Sequence, residues 1–422
     1  MADRKFLQIH TLTSYPGTLL NRDDAGFAKR IPFGGATRTR VSSQCLKYHW
    51  RNFDGQNALY DLDLPHSLRS RETFRRRVAG PLIEEGYPPT LVACAAMTLM
   101  ELILSDDTPS KTDYKNVLTG ETEIDSALET NQVTILGEPE VRYLRQVTRE
   151  TVDGLRGDLG ELWQDPDAEL SSDQVDSACD AFKQISKGDL KKNLLGLDHA
   201  SGLDAAMFGR MATSDVLARG DAAVHVAHAL TTHAEESESD YFSAVDELKA
   251  AGGEGELGAG LINTSELTSG LFYGYVVVDV PLLVGNLEAC KREDWLEADR
   301  DLAAEVVRRM VHLVATVSPG AKLGSTAPYS YAECVFLEAG SAQPRTLANA
   351  FRNPVDEQPD LLANSYRALA DHVREFDSMY RARTERRLSA TGPTEPLVDG
   401  LRVDGVVPLH EAAKWAAEQV RG

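Results

Sequence analysis

Residues 6–14, FLQIHTLTS, alternate imperfectly between apolar and polar positions, which predicts a strand with His10 inside it. Ser42 or Ser43 is placed to cap a helix running to about residue 52, and the turn residues NFDGQN at 52–57 close that unit. Residues 58 to about 205 carry mainly helical patterns. Within them, LVACAAMTLMELIL at 91–104 predicts a buried helix, 106–136 a polar loop or poorly ordered insert, and 138–175 a stretch rich in Asp and Glu. LFYGYVVVDVPLLVG at 271–285 is the strongest strand signal, β-branched and aromatic, with Tyr273 and Tyr275 on one face to stack bases or to pack. Residues 294–317 are patterned as an amphipathic helix, 331–339 as a strand, 347–351 as a short helix, 360–387 as a long helix and 408–421 as a terminal helix. A βα unit, then strands with a helix between them and a closing strand, suits a ferredoxin or RRM-like sheet with two large insertions, an α+β class.

At 422 residues, 42% hydrophobic and 26% charged, the chain can bury the core of one large or two to three smaller domains. Its cysteines, Cys45, Cys94, Cys179, Cys290 and Cys334, are scattered and form no CxxC pair. That argues for a reducing, cytoplasmic setting without a disulfide framework or zinc knuckle. The start, MADRKFLQIH, lacks the apolar core of a signal peptide, and the longest apolar run, Leu91 to Met100, is too short to span a bilayer, so no membrane partner is expected. His225, His228 and His233 have no acidic or cysteine ligand at a helical interval, so structural roles are favoured over zinc, and no metal or cofactor is expected.

Charge changes this picture at one place. The chain carries a net −21, yet residues 20–51 hold seven cations, Arg22, Lys29, Arg30, Arg38, Arg40, Lys47 and Arg51, against Asp23 and Asp24. A basic island of +5 in an acidic protein reads as a footprint for a polyanion, with a solvated basic face as the alternative. Gly34 and Gly35 allow positive φ or a close ligand approach. Arg38 and Arg40 project from one face of an extended segment, and the helix capped by Ser42 or Ser43 offers its free N–H groups beside them, a suitable phosphate site. Lys47 and Arg51 share a helix face. Two further basic runs read first as solvated helix surface. One is SLRSRETFRRRVAG, with Arg69, Arg71, Arg75, Arg76 and Arg77; the other places Lys183, Lys187 and Lys191, with Lys192, at intervals of four on one helix containing Gly188.

The run from LNRDD through FGG to RTRVSSQCLK resembles the start of the CasC family. These are backbone subunits of Cascade, the type I-E CRISPR surveillance complex, in the Cas-seven superfamily. GRMATS (209–214), AHALTTH followed by DYFSAVDEL, TSGLFYGY (268–275), MVHLVATVSPGAK (310–322) and LANAF (347–351) agree in order. The resemblance implies a palm at 1–55, a helical fingers insertion at 56–204, palm again at 205–231, a β-hairpin thumb at 232–270, and the rest of the palm with C-terminal helices at 271–422. It implies guide-RNA contacts from Arg22, Lys29, Arg40, Ser42, Gln44 and Lys47, with Arg38 and Arg51 as companions. Met211 becomes a wedge against a displaced guide base, and a thumb tip including Leu257, Leu261 or Ile262 enters the stack. Lys183, Lys187, Lys191 and Lys192 become candidates for the target-DNA duplex.

The expected function is then a non-catalytic scaffold whose copies line up in a helical filament on crRNA, with other Cascade subunits, presenting the guide for pairing with target DNA. A second class is a metal-dependent ribonuclease of a related CRISPR effector using Asp23 or Asp24, although no second acidic cluster accompanies them. A third, a nucleotide binder built on FGG and Ser42, lacks P-loop or Rossmann spacing.

Overall fold

The computed structural model describes residues 4–105, 107–197, 199–210, 216–217, 220–245, 259–381 and 384–422, with backbone alone for 242–245 and 259–263. In chain order the strands are β1 (Phe6–Thr18), β2 (Arg30–Phe33), β3 (Ala36–Val41), β4 (Ser67–Ser70), β5 (Thr134–Gly137), β6 (Val224–Val226), β7 (Ala229–Thr231), β8 (Ser237–Val245), β9 (Ala259–Asp279), β10 (Cys334–Gly340) and β11 (Glu385–Ala390). The main helices are α1 (Ser43–Arg51), α2 (Pro89–Leu104), α3 (Lys111–Leu118), α4 (Glu138–Gly154), α5 (Ser172–Lys183), α6 (Lys187–Leu195), α7 (Gly202–Phe208), α8 (Val280–Glu288), α9 (Asp301–Thr316), α10 (Leu361–Tyr380) and α11 (Leu409–Arg421). They form two compact units, one of residues 1–62, 224–284 and 292–422, the other of 63–223 and 285–291.

The first unit is an RRM-like palm, and the architecture is α+β. Its sheet runs β11-β10-β1-β9-β7-β3-β2, with β6 and β8 also on β9. β1 lies antiparallel between β10 and β9, with Ile9 opposite both Leu337 and Val276. Leu12, Tyr273, Phe336 and Leu388 pack with Phe351 and with Tyr366, Leu369 and Val373 of α10. A smaller cluster, Tyr15, Leu20, Val41, Ala229 and Phe272, receives Cys45 and Leu46 and so seats α1 on the sheet. β8 and β9 form a long antiparallel hairpin, paired from Ser237↔Thr268 to Val245↔Ala259. Residues 246–258, among them the expected thumb-tip residue Leu257, lie outside the described residues, as do the side chains of Leu261 and Ile262.

The second unit is the helical insertion, built on a core of Phe74, Leu82, Leu99, Leu144 and Phe182 around α2, which is buried along most of its length. It contains residues 205–223. Among the described residues no helix is long and apolar enough to cross a membrane.

Several predicted boundaries move. The 106–136 stretch holds α3, started by a Ser110–Asp113 capping box and anchored by buried Tyr114 and Val117, and β5, paired with β4. The 271–285 strand begins earlier, at Ala259, and stops at Asp279, whose Oδ1 accepts the Leu282 N–H at 3.0 Å and starts α8. The 294–317 helix begins only at Asp301. The 360–387 helix ends at Tyr380, where Arg381 turns left-handed at φ 49°, and β11 follows. Tyr273 and Tyr275 pack against the His10 ring, the Tyr273 hydroxyl 2.9 Å from its Nδ1 and Tyr275 donating to Gln8 Oε1 at 2.7 Å.

Candidate nucleic-acid interface

The basic island folds as a loop, a hairpin and a helix tied together by backbone bonds. Asp23 Oδ1 accepts the N–H groups of Ala25 and Phe27 at 3.0 and 2.9 Å, closing the turn that brings Arg22 opposite Ala28. Lys29 N–H donates to the Asn21 carbonyl and Arg40 N–H to the Lys29 carbonyl, at 2.9 and 2.8 Å, so the backbones of Lys29 and Arg40 run side by side. Asn21 also holds the helix start, its Oδ1 accepting the Ser42 N–H at 3.0 Å. Ser42 is the cap: its hydroxyl accepts the Cys45 N–H at 3.3 Å. Sequence reasoning missed Asn21; an Asn facing a helix cap across twenty residues leaves no local pattern.

Gly34 and Gly35 form the β2–β3 turn with φ +62° and +82°. The close approach at Gly34 is to protein rather than ligand, because a Cβ there would stand 1.5 Å from the Arg352 carbonyl oxygen.

The seven cations divide. Arg38 is fully buried and donates to four backbone carbonyls, Thr231 at 3.0 Å, His233 at 3.1 Å, Phe351 at 2.9 Å and Arg352 at 3.2 Å. It is a structural cation and is withdrawn from the RNA-contact set, since no polyanion reaches it in this fold. Arg30 pairs with Glu235 and Glu266, and Glu266 also accepts the Ala28 N–H at 2.6 Å. Arg22 and Gln44 are exposed, while Lys29, Arg40, Lys47 and Arg51 are half-buried. Ser42 is buried at 7% exposure with its hydroxyl engaged in the cap.

The core of the surface is Lys29, Arg40 and the exposed His228. Arg40 donates from Nε to the Arg30 carbonyl at 3.2 Å and from Nη1 to His228 Nδ1 at 2.9 Å. Partial burial, then Arg40 and Lys29, lower the His228 pKa. Burial pushes the neighbouring Cys45 thiol up to about 11, with Lys29 opposing. Two cations and a neutral imidazole beside a capped helix start suit an anionic ligand. By contrast, the groove lined by His233, Glu236, Glu333 and Glu357 is acidic.

Met211 lies outside the described residues. The four lysines do not share one helix: α5 ends at Lys183, Gln184–Ser186 intervene, and Ser186 caps α6, which carries Lys187, Lys191 and Lys192. Of the other basic run, Arg71 pairs with Glu129, Arg75 with Glu72 and Asp125, Arg76 with Glu72, and Arg77 with Glu138. His225 is exposed on β6 and His233 is buried beside Glu357; among the described residues no group of His, Cys, Asp and Glu is placed to hold a metal ion.

No curated protein matches the chain. Solved structures that share its fold include a chain of a "CRISPR RNA-guided surveillance complex, pre-nicking", with TM-score 0.71, 22% identity, and 98% of this chain and 100% of that one covered. Another, from a "CRISPR RNA-guided surveillance complex", gives TM-score 0.62 and 19% identity, covering 97% of this chain and 99% of that one. Residues 7–410 match the family described as CT1975-like protein, and the chain belongs to that family.

Proposed function

We propose that the chain is a non-catalytic, CasC-type backbone subunit of a type I-E Cascade complex in the cytoplasm. Copies line up as a helical filament on one guide crRNA, with other Cascade subunits, and present the guide for pairing with target DNA. The observation that carries this is the rigid pairing of Lys29 and Arg40 next to the Ser42-capped start of α1. Backbone-mounted cations grip phosphates without reading bases, as a guide of variable sequence requires. Arg22, Gln44, Lys47 and Arg51 extend the grip. The β8–β9 hairpin serves as the thumb that unstacks bases, Met211 as the wedge, and Lys183, Lys187, Lys191 and Lys192 as contacts to target DNA. The similarity to chains of RNA-guided surveillance complexes supports this reading. So does Asp23, whose Oδ1 accepts two loop N–H groups and so positions the loop.

The test follows RNA protection and affinity against salt for the protein assembled with its complex partners and guide. Protected RNA is expected as a ladder of equal steps. Lys29→Ala, Arg40→Ala and Lys47→Ala each lower the salt slope by roughly 0.7 per lost phosphate contact. Three inert substitutions, or absent protection, would reject the surface. RNA cut in Mg²⁺ and spared in EDTA or in the Asp23→Asn, Asp24→Asn variant would establish a ribonuclease instead.

A further inference from the structure

Arginine carries five N–H donors and no acceptor. Nδ1 of His228, 2.9 Å from Arg40 Nη1, is therefore the accepting atom, and the ring is neutral with its proton on Nε2. The sheet brings the two close, since Val41 pairs with Ala229 and His228 directly precedes β7. Arg40 pairs with Leu230, so His228, two residues earlier, is the diagonal neighbour of Arg40 on the same face. The charges acting on the ring are Arg40 from β3 and Lys29 from the loop before β2. A neutral, exposed, titratable base that two cations act on can take up a positive charge once an anion offsets theirs.

We propose that His228 is a further anion-contact residue of this surface, one that takes up a proton as phosphate binds. It rests on the RNA-binding function proposed above. Without ligand, neutral His228 holds the Arg40 guanidinium through Nδ1. When a phosphodiester approaches, its negative charge offsets the repulsion among Lys29, Arg40 and the imidazolium. One solvent proton then bonds to Nδ1, and the Arg40 N–H released from that nitrogen turns to a phosphate oxygen. The surface gains a charge and a freed donor in one step.

The sign follows from linkage. The ligand raises the His228 pKa above its depressed free value, so affinity rises as pH falls through the bound-state pKa and levels off below the free-state pKa. Each unit between the two is about a tenfold gain in affinity at the acidic end.

The experiment measures oligouridylate binding by the full chain at fixed salt from pH 8 to pH 5.5, uracil having no base nitrogen that protonates in this range. Wild type is expected to tighten several-fold to about tenfold on acidification. His228→Asn keeps an acceptor for Arg40 but cannot titrate, and its profile is expected to be flat. NMR titration of the His228 ring gives a second readout, with a pKa expected to be higher in the complex than in the free protein. A His228→Asn slope equal to wild type, or one His228 pKa in both states, overturns the inference. If Lys29→Ala and Arg40→Ala also leave binding untouched, the RNA-binding surface itself is wrong. If they weaken it while the slope persists in His228→Asn, only the role of His228 falls.

Discussion

A guanidinium removed from water is costly unless acceptors meet its N–H groups, and Arg38 donates from Nη1 and Nη2 to four backbone carbonyls, its Nε alone buried without a partner, while its side chain also lies 5.7 Å from the Phe33 ring centre. Arg40, two positions on, keeps its side chain half in solvent. From the sequence the two are equivalent, because nothing near them announces that Phe351 and Arg352 arrive from three hundred residues away to cover one of them. Arg38→Ala is expected to cost about 3–5 kcal/mol, since carbonyls of two segments lose their charged donor together. Chemical unfolding measures that loss. The folded fraction should keep the wild-type salt slope for RNA; a smaller slope at unchanged stability would return Arg38 to the phosphate-contact set.

At the scale of elements, the loop between β1 and β2 is positioned by partners distant in sequence. Glu266 of β9, 7% exposed, accepts the Ala28 N–H and pairs with Arg30, and Asn21 bonds the start of α1. Glu266→Ala should cost about 2–3 kcal/mol, for the Ala28 N–H left without its acceptor and Arg30 reduced to its one remaining partner, Glu235. It should also speed hydrogen exchange at Ala28 and Lys29, loosening the cation that sits beside Arg40. Unchanged exchange there would mean that the Asn21 bonds suffice to hold the loop. Elements with strong local signals were legible: β1 by alternation, α1 by its Ser42 cap, α2 by its apolar run and β9 by its β-branched residues. What failed depended on tertiary context. α3 is short and polar, and forms around three buried side chains, Tyr114, Val117 and Leu118. The four-residue lysine spacing survived on paper across Gln184–Ser186, where Ser186 caps a new helix. Glu235 and Glu266 took Arg30 out of the island, which charge counting could not register.

The whole molecule carries 65 acidic against 44 basic side chains, yet the palm buries a charged network of its own. Glu338, fully buried, receives Arg345 at 2.8 Å and Arg386 at 3.0 Å, and Arg386 closes on Asp377 at 2.6 and 2.7 Å. His10 lies 3.5 Å from Glu338, among the rings of Tyr273, Tyr275 and Phe336. Burial alone would raise the Glu338 carboxyl, but the His10 contact with the charges of Arg345 and Arg386 holds it well below the ordinary range, while burial lowers His10. Both folded-state values are depressed, so both groups contribute stability above their unfolded values that is lost on acidification. His10 begins to withdraw its share as pH falls below its ordinary 6.5, and Glu338 below 4.5. Glu333 and Glu140, raised by burial, act in the opposite sense: their share is present below 4.5 and lost as pH rises through their folded values. The unfolding free energy in urea should therefore start to fall between pH 7 and pH 6, before ordinary carboxylates titrate. His10→Gln, which cannot titrate, should make that fall shallower without abolishing it, because burial also lowers His49, His228, His312 and His372, and it should cost some stability at pH 7 because the amide leaves part of the ring cavity empty. A fall between pH 7 and pH 6 as steep in His10→Gln as in the wild type would assign it wholly to those other histidines and leave the network with the acid limb of Glu338 alone.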